Sequence, residues 1–289
     1  MEVPLRLEIQ SEKPLVKAGP LLKWAGGKTQ LLPELDKAFP ERCGTFFEPF
    51  IGGASVFFHM ANESRFERAA INDWNPEIVN LYEVVQYEPE YLMAEIDQFM
   101  SHGLTEEKYY ECRSLEVNQL DRVVAAARTL YLNKLGFNGL YRQNKKGQFN
   151  VPWGKKSKAT VYVRENVRAC SEVLQDVRVT QGDFALCTQE AKPGDLVYMD
   201  PPYVPLTDTS NFKSYTKDGF TLEDQERVRN EFARLAGLGV HVVASNSDTP
   251  VIRELYEGFD IRTVQARRNI NSKGGKRGPV NEVLVVGEA

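Results

Sequence analysis

The chain has 289 residues, 42% of them hydrophobic and 26% charged, with a net charge of −4. That size supports one large domain, or one domain with a sizeable insertion, and the composition is that of an ordinary soluble globular protein. No apolar run reaches the roughly 18–20 residues that span a bilayer; an N-terminal segment broken by Glu2, Arg6, Glu8, Glu12, Lys13 and Lys17 reads as a short arm rather than a secretory signal.

The first patterned element is a Gly-rich turn, Trp24-Ala25-Gly26-Gly27-Lys28-Thr29, followed by Leu31, Leu32 and Leu35 spaced for one helical face. Thr45 to Phe50 predicts a strand that ends at Gly52-Gly53, Ser55 to Ala61 a helix, and Ala69 to Asn72 a second strand leading to Asp73. This order is a βαβ unit. From about Pro76 to Arg128 the pattern turns helical, and from Gly136 to Gly154 it becomes loop-like. Beyond Val163 helices and strands alternate again. Leu196–Met199 is an apolar strand ending at Asp200, and His241–Ser245 and Glu282–Val286 are two more. The expectation is an α/β domain from residues 1–75 and 165–289, around a mainly helical, basic insertion at residues 76–164.

Asp200-Pro201-Pro202-Tyr203 stands at the carboxyl end of a predicted parallel strand, where open α/β sheets bind ligands. An aromatic amino group is a poor nucleophile because its lone pair is delocalised into the ring. A carboxylate and a fixed backbone carbonyl can each accept one of its N–H bonds, turning the lone pair toward an electrophilic methyl. Asp200 offers the carboxylate, the Pro201-Pro202 turn a carbonyl, and Tyr203 a ring for stacking on a flipped base. Asp-Pro-Pro is equally good turn chemistry. In Phe47-Glu48-Pro49-Phe50-Ile51-Gly52-Gly53-Ala54-Ser55 the glycines let the backbone approach a bulky group, and Asp73, 21 residues past Gly52, suits the two ribose hydroxyls of an adenosine-containing cofactor. Trp24 and Lys28 suit a flat aromatic group and a carboxylate, both present in methionine-derived cofactors. A phosphate-binding P-loop is excluded because Leu22 stands where its first glycine belongs.

Charge is unevenly distributed. Arg122 to Arg164 holds ten Lys or Arg and no acid, and Arg262 to Asn281 holds six and no acid, whereas Glu83 to Glu111 is acid-rich. Two acid-free basic stretches are the footprint of a polyanion partner, although solvated faces produce the same clustering. Within the first stretch, lysines alternate with aromatics and amides. Lys145 and Lys146 can neutralise phosphates, Asn144 adds an amide, and Arg142 can read the O6 and N7 edge of guanine. Leu140 or Pro152 can touch a thymine methyl, and Phe137 can wedge between base pairs. The four cysteines, Cys43, Cys112, Cys170 and Cys187, form no C-x-x-C pair, so no metal is expected, and their scatter suits a reducing cytoplasm. None follows proline, as the nucleophile of cytosine-C5 methylation would.

In this order, Lys23 to Lys28, the Phe50–Ser55 loop, the central basic run and Asp200–Tyr203 resemble the Dam-type DNA adenine-N6 methyltransferases from about Leu21 to Val286. The resemblance implies a seven-strand Rossmann-like methyltransferase sheet, S-adenosylmethionine as cofactor and double-stranded DNA as partner. Carried over by position, Trp24, Lys28, Phe50, Gly52, Asp73 and Asp200 contact the cofactor, and Asp183 reaches its adenine unless it only caps a turn. Asn138, Leu140, Arg142 and Pro152 fall on the family's base-reading positions, which implies GATC as the target. Arg267 to Arg277, with Lys276, resembles a hairpin straddling a phosphate backbone. Ala54 departs from the family, which has glycine there, and implies a slightly shifted loop. A cognate restriction endonuclease is a possible functional partner. Cytosine N4, RNA adenine and an inactive DNA-binding relative are the alternatives.

Overall fold

The computed structural model describes residues 16–144, 146–204, 220–267 and 279–287. Its strands are β1 (Cys43–Glu48), β2 (Phe66–Asp73), β3 (Val177–Gln181), β4 (Leu196–Met199), β5 (His241–Ser247), β6 (Asp260–Arg267) and β7 (Pro279–Gly287). They form one sheet in the order β3-β2-β1-β4-β5-β7-β6. The first five are parallel, while β7 runs antiparallel to both β5 and β6. All four residues of β4 are buried, as a central parallel strand covered on both faces requires.

The helices are α1 (Leu32–Ala38), α2 (Ser55–Asn62), α3 (Pro76–Tyr87), α4 (Pro89–Met100), α5 (Glu106–Ser114), α6 (Arg122–Leu135), α7 (Arg164–Leu174), α8 (Phe184–Cys187), α9 (Leu222–Gly237) and α10 (Pro250–Leu255). Alternation along the strands separates two cores. Phe46, Ile71, Leu196 and Tyr198 face the layer of α1 to α4, α6 and α7. Phe47, Ala70, Val197 and Met199 face α8, α9 and α10. The segment expected as an insertion shares the first core: α3 packs on α6 and also on α7 and β3. The loop at residues 136–154, which follows α6, is therefore mounted on the same core as the sheet.

Strand order reverses between β1 and β4, since β2 and β3 extend to one side and β5 to the other. The crevice at such a switch point, above the carboxyl ends, is where an α/β sheet binds ligands. Phe50 to Gly53 leave β1 on one side of it, and Asp200 leaves β4 on the other. Several expected positions fall elsewhere. The terminal arm at 1–15, Lys145, and 268–278 with Lys276 lie outside the described residues, and Arg267 is placed only as the end of β6, opposite Pro279.

Candidate active site

Asp200 follows directly on β4, so a rigid buried strand sets its position. Its Oδ2 accepts a hydrogen bond from Lys28 Nζ at 2.6 Å, and its Oδ1 accepts one from Ser245 Oγ at 2.8 Å. The Lys28 side chain is 5% exposed and that of Asp200 20%. The ammonium also donates to the Gly26 carbonyl at 2.6 Å, which ties the Gly-rich turn to the carboxylate. A carboxylate has about four acceptor positions, so Asp200 can still receive an N–H from a ligand.

The next three residues are held from both sides. Gln225 Nε2 in α9 donates to the Pro202 carbonyl at 2.7 Å. Among the described residues no donor reaches the Pro201 carbonyl. Tyr203 Oη donates to Glu282 in β7 at 2.8 Å, and Lys28 Nζ lies 4.7 Å from the centre of its ring. Ser247 Oγ donates to the Val204 carbonyl at 2.6 Å. The segment is thus an irregular stretch after β4, not a regular turn, clamped by its neighbours and with an open acceptor pair, Asp200 and the Pro201 carbonyl.

Beneath this pair lies Glu48, the last residue of β1, only 3% exposed. Among the described residues its Oε2 has no hydrogen-bond partner, while the Phe57 N–H in the first turn of α2 serves the carboxyl group. Burial pushes this carboxyl well above the usual carboxylate range, and the negative charge of Asp200 pushes it further.

The β1–α2 loop is organised by Asp73. Its Oδ2 accepts the Gly52 N–H at 3.0 Å and its Oδ1 the Asn75 N–H at 2.9 Å, while burial raises its carboxyl. Tyr82 Oη donates to the Gly52 carbonyl at 2.8 Å. The glycines make room first for Trp24: a Cβ on Gly52, at φ +43°, would stand 2.4 Å from Trp24 Nε1. Ala54 takes the left-handed conformation (φ 59°) that glycine adopts freely. That costs roughly 1–2 kcal/mol, which burial of its methyl offsets in part, by about 0.8 kcal/mol. Ala54 closes this left-handed turn through its N–H, which donates to the Ile51 carbonyl at 2.7 Å.

Phe50 is partly exposed, with its ring 5.3 Å from Phe184 and 6.2 Å from Phe220. Asp183 caps α8 through the Ala185 N–H at 3.0 Å and pairs with Arg227 at 2.5 Å, so the capping role is present.

Residues 136–154 form a hairpin-like excursion, bridged at Gly136–Trp153 and Gln143–Phe149. Phe137 is 48% exposed, and Asn138, with φ 55°, is exposed beside it. Arg142, Asn144, Lys146 and Pro152 are also exposed, whereas Leu140 is half-buried against the core. Arg142 Nε donates to Asn150 Oδ1 at 2.6 Å. Asn144 Oδ1 accepts the Lys146 and Gln148 N–H groups, which shapes the hairpin tip. Tyr141 lies 5.5 Å from Trp24, centre to centre, so the excursion abuts the Gly-rich turn.

Residues 24–270 match the family described as D12 class N6 adenine-specific DNA methyltransferase. The chain belongs to that family. It is 40% identical over 280 residues to the Type II methyltransferase M1.LlaDCHI of Lactococcus lactis subsp. cremoris, covering 95% of this chain and 97% of that one. It is 38% identical to the Type II methyltransferase M.MjaIII of Methanocaldococcus jannaschii, covering 89% and 94%. It is 35% identical to a DNA adenine methylase of Vibrio cholerae, covering 92% and 94%. The protein is thus an adenine-specific DNA methyltransferase that uses a methyl donor, and cytosine N4 and RNA adenine fall away as substrates. No helix among its described residues is long and apolar enough to cross a membrane.

In this D12 methyltransferase the structure adds four residues to the site, three outside the motifs and one, Glu48, inside the loop motif but given no role there. Ser245 bonds Asp200, Glu282 bonds Tyr203, Gln225 bonds the Pro202 carbonyl, and Glu48 lies buried below. Ser245-Asn246-Ser247, a polar run ending an apolar strand, is a signal that pointed there. Gln225 and Glu282 carry none, because only tertiary pairing brings them to residues 200–203.

Proposed function

We propose that the enzyme transfers a methyl group from S-adenosylmethionine to N6 of an adenine flipped out of duplex DNA, with GATC as its target. The observation that carries this reading is the open acceptor pair of Asp200 and the Pro201 carbonyl at the switch point, braced by Lys28, Ser245 and Gln225. Asp200 accepts one amino hydrogen and the Pro201 carbonyl the other, so the lone pair turns out of the ring plane. Tyr203 lines the base pocket, its hydroxyl fixed by Glu282. The donor, when bound, supplies an electrophilic methyl. The amino nitrogen would take that methyl as the donor's S–C bond breaks, and its surplus proton would pass to solvent.

The pocket's chemistry fits that donor. Asp73 is the acid for the ribose, Phe50 and Phe184 offer an aromatic wall toward the adenine with Asp183 at its edge, and Trp24 and Lys28 flank the methionine end. Glu48 Oε2, without a partner among the described residues, leaves a buried polar group beneath the same loop.

Residues 76–164 act as the target-recognition unit and residues 1–75 with 165–289 as the catalytic unit. Phe137 wedges the duplex, Asn138, Leu140, Arg142 and Pro152 read bases, and Asn144, Lys145, Lys146, Arg267 and Lys276 contact phosphates. Substrate DNA and four free, buried thiols favour the cytoplasm. Type II methyltransferases among the relatives favour a restriction endonuclease sharing the target sequence.

Incubating unmethylated plasmid with enzyme and labelled S-adenosylmethionine, then adding an endonuclease that cuts only methylated GATC, tests this directly. Cleavage with label in N6-methyladenine is expected. Label without cleavage overturns GATC, and no label overturns the reading.

A further inference from the structure

Helix α3 starts from the donor pocket. Asp73 accepts the Asn75 N–H, and Asn75 Oδ1 caps the helix by accepting the Glu77 N–H at 3.0 Å. Glu77 is 8% exposed. Its Oε1 accepts from Gln143 Nε2 at 2.7 Å and its Oε2 from Thr129 Oγ1 at 3.1 Å, with the Arg128 guanidinium 3.5 Å away. Gln143 Nε2 also donates to the Tyr141 hydroxyl at 2.9 Å, and the Tyr141 ring packs near Trp24. Arg142 therefore sits between two residues tied to one buried carboxylate.

The return limb of the hairpin is anchored through the same pair. Arg128 donates to the Cys112 and Arg113 carbonyls of α5 at 3.1 and 3.0 Å. From α5, Tyr109 Oη and Arg113 Nη1 donate to the Val151 carbonyl at 2.9 and 3.1 Å, next to Pro152. Apolar side chains would fill this space at lower desolvation cost. A buried polar network instead specifies one arrangement of the groups it joins.

We infer that Glu77 is a positioning residue that couples the methyl-donor pocket to the recognition hairpin, by fixing Tyr141 and Gln143 on either side of Arg142. This rests on the proposed reading of Asp73 and of the 136–154 loop. Linkage requires the effect to be reciprocal: a ligand in the donor pocket tightens cognate DNA binding by the factor with which DNA tightens that ligand.

The test uses the full chain, cognate and one-base-altered duplexes, and S-adenosylhomocysteine as a non-transferring ligand. The unaltered enzyme is expected to bind the cognate duplex about fivefold or more tighter with that ligand present, the lower end of ordinary coupling. In Gln143→Ala this ratio falls toward one and discrimination drops, while affinity for S-adenosylhomocysteine alone stays within about twofold. Glu77→Gln is the second variant, measured alongside, and either folded variant decides the outcome. Coupling and discrimination that persist in the variant overturn the inference, as does equal weakening on every duplex with coupling intact, which marks a purely structural role. Arg142→Ala separates the two layers. If it lowers discrimination while Gln143→Ala does not, only the inference falls. If it too leaves discrimination unchanged, the recognition reading falls and the inference with it.

Discussion

Ser245 shows how much of the chemistry depends on single atoms. Its hydroxyl is bonded to both Asp200 Oδ1 and the Tyr198 hydroxyl, each at 2.8 Å, and so fixes the carboxylate's rotation. A hydrogen bond to a charged group is worth about 1.5–3 kcal/mol. Ser245→Ala is therefore expected to lower kcat by about tenfold or more, with KM for duplex nearly unchanged. A raised KM at unchanged kcat would place Ser245 in DNA binding instead. The motif Asp200 to Tyr203 was legible because its chemistry is compressed into four adjacent residues. Its supports were not: Glu282 reaches Tyr203 only because β7 pairs antiparallel with β5, Ser247 opposite Glu282, and no local pattern encodes that register.

At the scale of elements, burial explains which strands the sequence announces. β4 is apolar throughout because it is covered on both faces, and its limits, Leu196 and Met199, are those of the apolar run. β3, Val-Arg-Val-Thr-Gln, lies at one edge of the sheet and β6, beginning Asp-Ile-Arg-Thr-Val-Gln, at the other, and neither has an apolar run to mark it. The 136–154 segment reads as loop because only isolated bridges join its limbs. Its polarity is divided by face, with Phe149 and Val151 buried while Arg142 and Pro152 are exposed. Arg142→Ala should relax sequence choice at one base position, costing roughly 1–3 kcal/mol of discrimination in competition binding. Equal loss on all duplexes would identify Arg142 as a phosphate contact.

Across the whole molecule, a net charge of −4 hides a local group of three lysines, Lys23, Lys134 and Lys156, close enough for their charges to act on Lys134. Burial pushes the Lys134 ammonium down to about 8, and the charges of Lys23 and Lys156 push the same way. The folded-state value lies below the ordinary lysine value near 10.4. The charged form thus weighs against folding, and stability from this group grows as pH rises through about 8 and is lost as pH falls through it. Lys134→Gln should therefore lose the part of the pH dependence of stability that lies between about pH 8 and 10, read by denaturant unfolding at pH 7 and pH 9. An identical pH dependence of stability in both proteins would contradict that attribution to Lys134. The central claim is that Asp200 and the Pro201 carbonyl activate the adenine amino group, and single-turnover methylation by Asp200→Ala tests it most directly, with duplex binding measured on the same sample. The expected result is a fall in the transfer rate of about 10²-fold or more with duplex affinity largely retained; transfer at the unaltered rate would contradict it.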